Sequence, residues 1–244
     1  MELLILGAGG FHPNEHRHTA CSMIADWGVV LDAGSGAFRV RQHVRTDSLD
    51  VLLSHTHLDH VVGLTFLFDL FGDETAERLT VHAAESKHAV LTESLYHREL
   101  FPLAPTFRLS VLTGEFTLHS GVKVKTFPLD HPGGSVGFRL ERDGKSLAYV
   151  TDTTAAAEYT EAIRGVDLLL HEAYFPAERA ELANVTGHST VQRAAEVAAA
   201  AQVGRLVCIH PDPRCDAAEP FALNEARRVF EHIEWGIDGV RVEF

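Results

Sequence analysis

The run His55-Thr56-His57-Leu58-Asp59-His60 gathers four metal-binding side chains into six residues, directly behind the largely apolar stretch Leu49-Asp50-Val51-Leu52-Leu53. The i, i+2 spacing of His55, His57 and Asp59 does not align side chains on one helical face. It predicts a loop or tight turn wrapped around something, and imidazoles with a carboxylate at this density point to a metal ion. One ion with an open catalytic position takes about three protein ligands, so the run and the candidates further down hold enough for two. The competing reading is a solvated, histidine-rich surface loop. Against it stand four more candidates in one recurring setting: His131, Asp152, Glu172 and His210 each follow a strand-like segment (122–127, 146–150, 166–170 and 205–209). Sheets that alternate with helices bind ligands at the carboxyl ends of their strands, which lets scattered residues converge.

The elements that must position these residues are read from hydrophobic period and turn signals. Strands are predicted near 2–6, 21–26, 28–32 and 49–53, with a helix over 36–45 between the last two. A helix over 84–95 and strands within 107–127 follow. The second half alternates strand with helix, the helices lying at 158–164, 190–201 and 219–232. Phe66, Phe68 and Phe71 have helical spacing and are expected in the core. At 244 residues and 45% hydrophobic content the chain reads as one domain, 1–244, with a substantial core. No apolar run is long enough for a membrane span, and the chain opens directly into a strand, so a cytoplasmic location is expected. Cys21, Cys208 and Cys215 show no Cys-x-x-Cys spacing, so neither a disulfide framework nor a thiolate zinc site is indicated.

The His-x-His-x-Asp-His run resembles the first motif of the metallo-β-lactamase superfamily. His171-Glu172-Ala173 and Gly187-His188-Ser189-Thr190 look like the phosphodiesterase branch that includes ribonuclease Z. The resemblance runs from Leu3-Leu4-Ile5-Leu6-Gly7 to His210 and implies an α/β fold, the αββα four-layer sandwich. It implies two divalent ions, zinc first, with manganese or iron as alternatives: one held by His55, His57 and His131, the other by Asp59, His60 and His210, with Asp152 bridging. It further implies that Asp59 orients the attacking water, that His188 meets the scissile phosphate, and that Glu172 orients His188. A possible homodimer is likewise implied by the branch.

The residues themselves add to this. Ser189 and Gln192 form a Ser-x-x-Gln capping box, which sets His188 at the positive end of the following helix while a nearby Glu172 would raise its proton affinity. The alternative readings are a packing or capping role for His188 and an ordinary surface carboxylate at Glu172. Gly7-Ala8-Gly9-Gly10 is followed by Phe11-His12-Pro13 and no helix, so a loop near the site is expected instead of a dinucleotide fingerprint. His16, Arg17 and His18, or Tyr96, His97 and Phe101, are candidates for a substrate rim.

The tRNA-processing enzymes of the branch carry a long tRNA-gripping arm between the third histidine and the bridging aspartate. Here residues 132–151 read as a bare hairpin turning at Arg142-Asp143-Gly144-Lys145. With 21 Lys plus Arg against 34 Asp plus Glu, a net charge of -13, the chain lacks the basic excess of a polyanion binder. A small anionic substrate is therefore expected ahead of a large nucleic acid. The leading expectation is a phosphodiesterase on small cyclic or short phosphodiesters. The alternatives are a lactone or carboxylic-ester hydrolase, a tRNA 3′-processing endonuclease, and a non-catalytic metal-binding carrier.

Overall fold

A computed structural model describes residues 1–154, 157–215 and 217–244. The strands are β1 (Glu2–Gly7), β2 (Cys21–Ile24), β3 (Val29–Leu31), β4 (Leu49–Leu52), β5 (Leu79–Ala83) and β6 (Arg108–Val111), then β7 (Glu115–Thr117), β8 (Lys123–Leu129), β9 (Ser135–Arg142), β10 (Lys145–Val150), β11 (Leu168–Glu172), β12 (Leu206–Ile209), β13 (Ile233–Trp235) and β14 (Arg241–Glu243). They form two seven-stranded sheets, ordered β14-β1-β2-β3-β4-β5-β6 and β13-β12-β11-β10-β9-β8-β7. Each sheet has an antiparallel half and a parallel half, β3 to β6 in one and β10 to β13 in the other.

Side-chain alternation along the strands sorts the apolar residues into three layers. Leu3 and Ile5 of β1, Leu147 and Tyr149 of β10, Leu168 and Leu170 of β11, and Val207 and Ile209 of β12 meet between the sheets. Leu4 and Leu6 of β1 face outward into a second cluster with Val40, Leu64 and Leu67. Ala148, Val150, Leu169, Leu206 and Cys208 face outward from the other sheet into a third, closed by Ala194, Ala195 and Ala198. Three apolar layers need four layers of secondary structure. The fold is the expected αββα sandwich.

The helical elements differ more from expectation. The α-helices are α1 (Leu58–Val61), α2 (Thr75–Arg78), α3 (Ala180–Thr186), α4 (Val191–Ala201) and α5 (Asn224–Val229). The segment expected as a helix at 36–45 is a tight 3₁₀ coil over Ser35–His43. The one expected at 84–95 is a 3₁₀ turn at Glu85–Lys87 followed by a wide π turn at Val90–Leu95. Over 158–164 a short 3₁₀ turn, Ala157–Tyr159, gives way to turns, and of 219–232 only α5 is helical. Phe66 is 43% exposed, because 3₁₀ winding over Val62–Leu67 rotates it away from the side that a 3.6-residue period assigns it. The hairpin at 135–150 forms with Asp143 and Gly144 at its tip, both at positive φ. Among the described residues, no helix is long and apolar enough to cross a membrane.

Candidate metal centre

Five of the candidate side chains lie at one rim of the sandwich, at or just past the carboxyl end of a strand. His55 follows β4, His131 follows β8, Asp152 follows β10, Glu172 ends β11 and His210 follows β12. The His-x-His-x-Asp-His run is not a uniform loop. It is extended through His57, whose φ and ψ of −63° and 149° start α1, and Leu58, Asp59 and His60 then make one helical turn. That change of direction divides the run. His55 and His57 join His131 and Asp152 in one group, and Asp59 and His60 join His210 in a second, with the ligand-type atoms of each group within 4.8 Å of one another.

Asp152 faces both groups. Its Oδ2 is 3.6 Å from His55 Nε2 and 3.5 Å from His131 Nε2, whereas its Oδ1 is 3.3 Å from His60 Nε2 and 3.2 Å from His210 Nε2. Asp152 and His210 both sit at positive φ, 42° and 59°, strained for residues that carry a Cβ. Asp152, His188 and His210 make a third close grouping.

The far sides of the rings orient them. His60 Nδ1–H donates to Asp32 at 2.8 Å, His131 Nδ1–H donates to the Gly187 carbonyl at 2.8 Å, and His55 Nδ1–H donates to Ser54 Oγ at 3.0 Å, which itself donates to Asp32 at 2.7 Å. With each Nδ1 used as a donor, each Nε2 presents a lone pair inward. His60 Nε2 then lies 3.1 Å from His210 Nε2, and His131 Nε2 lies 3.2 Å from His57 Nδ1. Each of these pairs needs a proton on one ring or a cation shared between the two. His55 Nε2 is buried with no hydrogen-bond partner, which fits a metal ligand. Burial opposes protonation of His60, but Asp152, Asp59 and Asp32 around it hold its pKa well above the usual imidazole value. Burial likewise opposes ionisation of Asp59, yet His60 and His210 keep its carboxyl far below the ordinary range. Carboxylates thus outweigh cationic side chains in the cluster, and divalent cations fit that balance.

Asp32 was not anticipated. It is fully buried behind the cluster, where it accepts from Ser54 N–H and Oγ–H, both at 2.7 Å, and from His60 Nδ1–H and the Tyr149 hydroxyl, both at 2.8 Å. Its only sequence signal is a carboxylate closing the apolar run Val29-Val30-Leu31, the same placement as the other candidates.

His188 Nδ1–H donates to Glu172 Oε1 at 2.9 Å, and Glu172 is fully buried, which excludes a surface carboxylate. Glu172 also accepts from Thr153 N–H at 2.9 Å and Tyr174 N–H at 3.1 Å. Burial lowers the pKa of His188, but the adjacent Glu172 charge outweighs it and raises the value to about 9. The His188 ring stacks on Tyr174, 4.4 Å between centroids. The expected capping box is displaced by one residue. Thr190, not Ser189, accepts from Arg193 N–H at the start of α4, because Ser189 Oγ is drawn away to the Thr153 carbonyl at 2.7 Å, and Gln192 turns to Glu196.

A cleft of about 460 Å³ opens on the cluster, lined by His57, Asp59, His131, Asp152, His188 and His210 together with Phe11, Leu58, Pro132, Tyr174 and Thr186. None of the six candidate rim residues lines it. Arg17 is buried and donates to the Ala217 carbonyl at 2.8 Å, His18 lies against Ser35 and Phe38, and Tyr96 is packed in the outer core with Phe101 and Phe107. The glycine loop does approach the site: a Cβ on Gly10 would meet the His210 ring at 2.5 Å.

Residues 28–211 match the family model described as a beta-lactamase superfamily domain. Ribonuclease Z of Metallosphaera sedula is 28% identical, with 94% of each chain covered. That alignment runs over 284 positions, more than the 244 residues present here, so the relative carries segments that this chain lacks. Among solved structures, the metallo-beta-lactamase fold protein YhfI from Bacillus subtilis superposes with a TM-score of 0.81 at 18% identity, covering all of this chain and 99% of that one. The short form of human tRNase Z follows at 0.77 and 19%, covering 100% and 99%. The family match takes in most of the chain, and the fold is shared end to end: the chain belongs to the beta-lactamase superfamily of metal-dependent hydrolases.

Proposed function

We propose that the chain is a dinuclear phosphodiesterase acting on small cyclic or short phosphodiesters. The observation that carries this reading is the pairing of His188 with a buried Glu172 at the edge of the metal-type cluster, on the same cleft. In this reading His55, His57 and His131 would hold one divalent ion, Asp59, His60 and His210 would hold the other, and Asp152 would serve both; zinc suits this histidine-rich donor set, with manganese or iron as substitutes. Two such ions supply an activated water and polarise a phosphoryl oxygen. The chain's own residues do the rest. Asp59, which accepts from Phe11 N–H at 2.7 Å, would orient the attacking water. His188 spends Nδ1–H on Glu172, which leaves its other nitrogen to stabilise charge developing on the phosphate or to protonate the departing oxygen.

The missing segments and the net charge of -13 support a small substrate. The comparisons do not support setting nucleic acid aside, since a relative is named for ribonuclease activity, and RNA therefore belongs in the test. The panel is bis(p-nitrophenyl) phosphate, 2′,3′-cyclic nucleotides, a lactone and a precursor tRNA, assayed on protein of measured metal content. Turnover of the small diesters above the other two is the expected result. Lactone turnover alone would transfer the assignment to a carboxylic-ester hydrolase, and efficient tRNA cleavage would transfer it to an RNA-processing role.

A further inference from the structure

The loop around Phe11 is braced against the site and yet presents an apolar ring to solvent. Phe11 has a φ of 58°, in the left-handed region that a bulky residue ordinarily avoids. Two contacts hold it there: Phe11 N–H donates to Asp59 Oδ2 at 2.7 Å, and the preceding Gly10 lies flat against His210, where a side chain would collide. Nothing in the fold's core requires this ring, which is 69% exposed. Beside it at the same cleft stands Leu58, the first residue of α1, 66% exposed.

The cleft is otherwise unsuited to a second anionic group. No lysine or arginine is among the described residues that line it. Arg214, which interacts with Tyr174, is already engaged by Asp212 at 2.6 and 2.9 Å. Polar and charged side chains gather at the metal-type cluster, while Phe11 and Leu58 offer a planar ring and a branched aliphatic at the same cleft. Exposed aromatics of this kind attract flat, neutral groups by stacking and by apolar burial.

We infer that Phe11, seconded by Leu58, is the platform for the substituent of the phosphodiester that is not expelled, selecting diesters with an aryl or nucleobase group over those with a small alkyl group. The inference rests on the phosphodiesterase reading. It gives Phe11 a specificity role and leaves the chemistry with the histidines and carboxylates.

The test compares bis(p-nitrophenyl) phosphate with methyl p-nitrophenyl phosphate in the metal-loaded protein. Both lose the same p-nitrophenolate, so the ratio of their kcat/KM values reports the retained substituent. Phe11→Asn keeps a residue that tolerates positive φ while removing the ring, and Phe11→Trp keeps a ring. In Phe11→Asn the aryl-to-methyl ratio should fall about tenfold, mainly through KM of the aryl diester, whereas Phe11→Trp should hold it within about threefold of the starting protein. A fall of less than about threefold in Phe11→Asn, or an equal loss on both diesters, would overturn the inference. Metal content controls for damage to the site. If Phe11→Asn loses its ions, Leu58→Asn takes its place, with a fall in the ratio expected and an unmoved ratio counting against the platform. If the starting protein hydrolyses neither diester, the phosphodiesterase reading fails by itself. The platform is then judged by affinity for phenylphosphonate against methylphosphonate: an aryl preference abolished in Phe11→Asn supports it, and equal affinities overturn it.

Discussion

Asp152 is buried at a strained backbone position, with each carboxylate oxygen turned to a different set of imidazoles. Asp152→Ala should therefore deplete both ions together, and elemental analysis finding both retained would exclude a shared ligand. His188 predicts the opposite pattern, because Glu172 holds it and it need not hold metal. His188→Ala should keep both ions and lower kcat on phosphodiesters about a hundredfold or more. Glu172→Gln should lose less, and the double variant should be little worse than His188→Ala, since the two act as a unit. Most residues of this cluster were legible because three histidines and an aspartate fall within six residues and further ligand types recur behind apolar runs. Asp32 shares the placement behind an apolar run but stands alone there, and what identifies it is distance in space: Ser54 from the loop after β4, His60 from α1 and Tyr149 from β10 converge on it. Asp32→Asn would place an amide nitrogen or a weaker acceptor against those donors and release the ring of His60. Metal affinity should drop about 10- to 100-fold, measured by competition with a chromogenic chelator.

At the scale of elements, strands were easier to read than helices. β10, β11 and β12 are short, apolar and bounded by turns, and burial on both faces leaves few alternatives. The segments around 36–45 and 84–95 have helical composition, but the outer layer over the first sheet is built from 3₁₀ and π turns, set by how each piece packs and not by local propensity. The start of α4 shows the same limit within one residue. Ser189 and Thr190 are both good caps by type, and only the long-range bond from Ser189 to Thr153 decides between them. Thr190→Ala should cost about 1 kcal/mol, read as a fall of about 2–4 °C in thermal midpoint, while Gln192→Ala should leave stability nearly unchanged.

For the whole molecule, two sheets back to back make the inter-sheet layer the least forgiving part. Leu168 and Leu170 of β11 are fully buried there, and Leu168→Ala should cost about 2–5 kcal/mol in denaturant unfolding. An excess of acidic side chains over the same body should keep any binding of tRNA weak, and a steep fall in affinity with salt would reveal a basic track that the composition hides. The division of the ligand-type residues has another consequence. His55, His57, Asp59 and His60 belong to the sheet of β4, whereas His131, Asp152 and His210 belong to the sheet of β8, β10 and β12, so each of the two groups draws on both sheets. An ion in either group would rivet one half of the sandwich to the other at a single rim, in addition to the apolar layer that the two sheets share. Stripping the metal should then make this seam gape locally before anything melts. Amide hydrogens near Ser54, Thr153 and Ala173 should exchange with deuterium far faster in chelator, while those in the middle of β1 and β10 keep their protection.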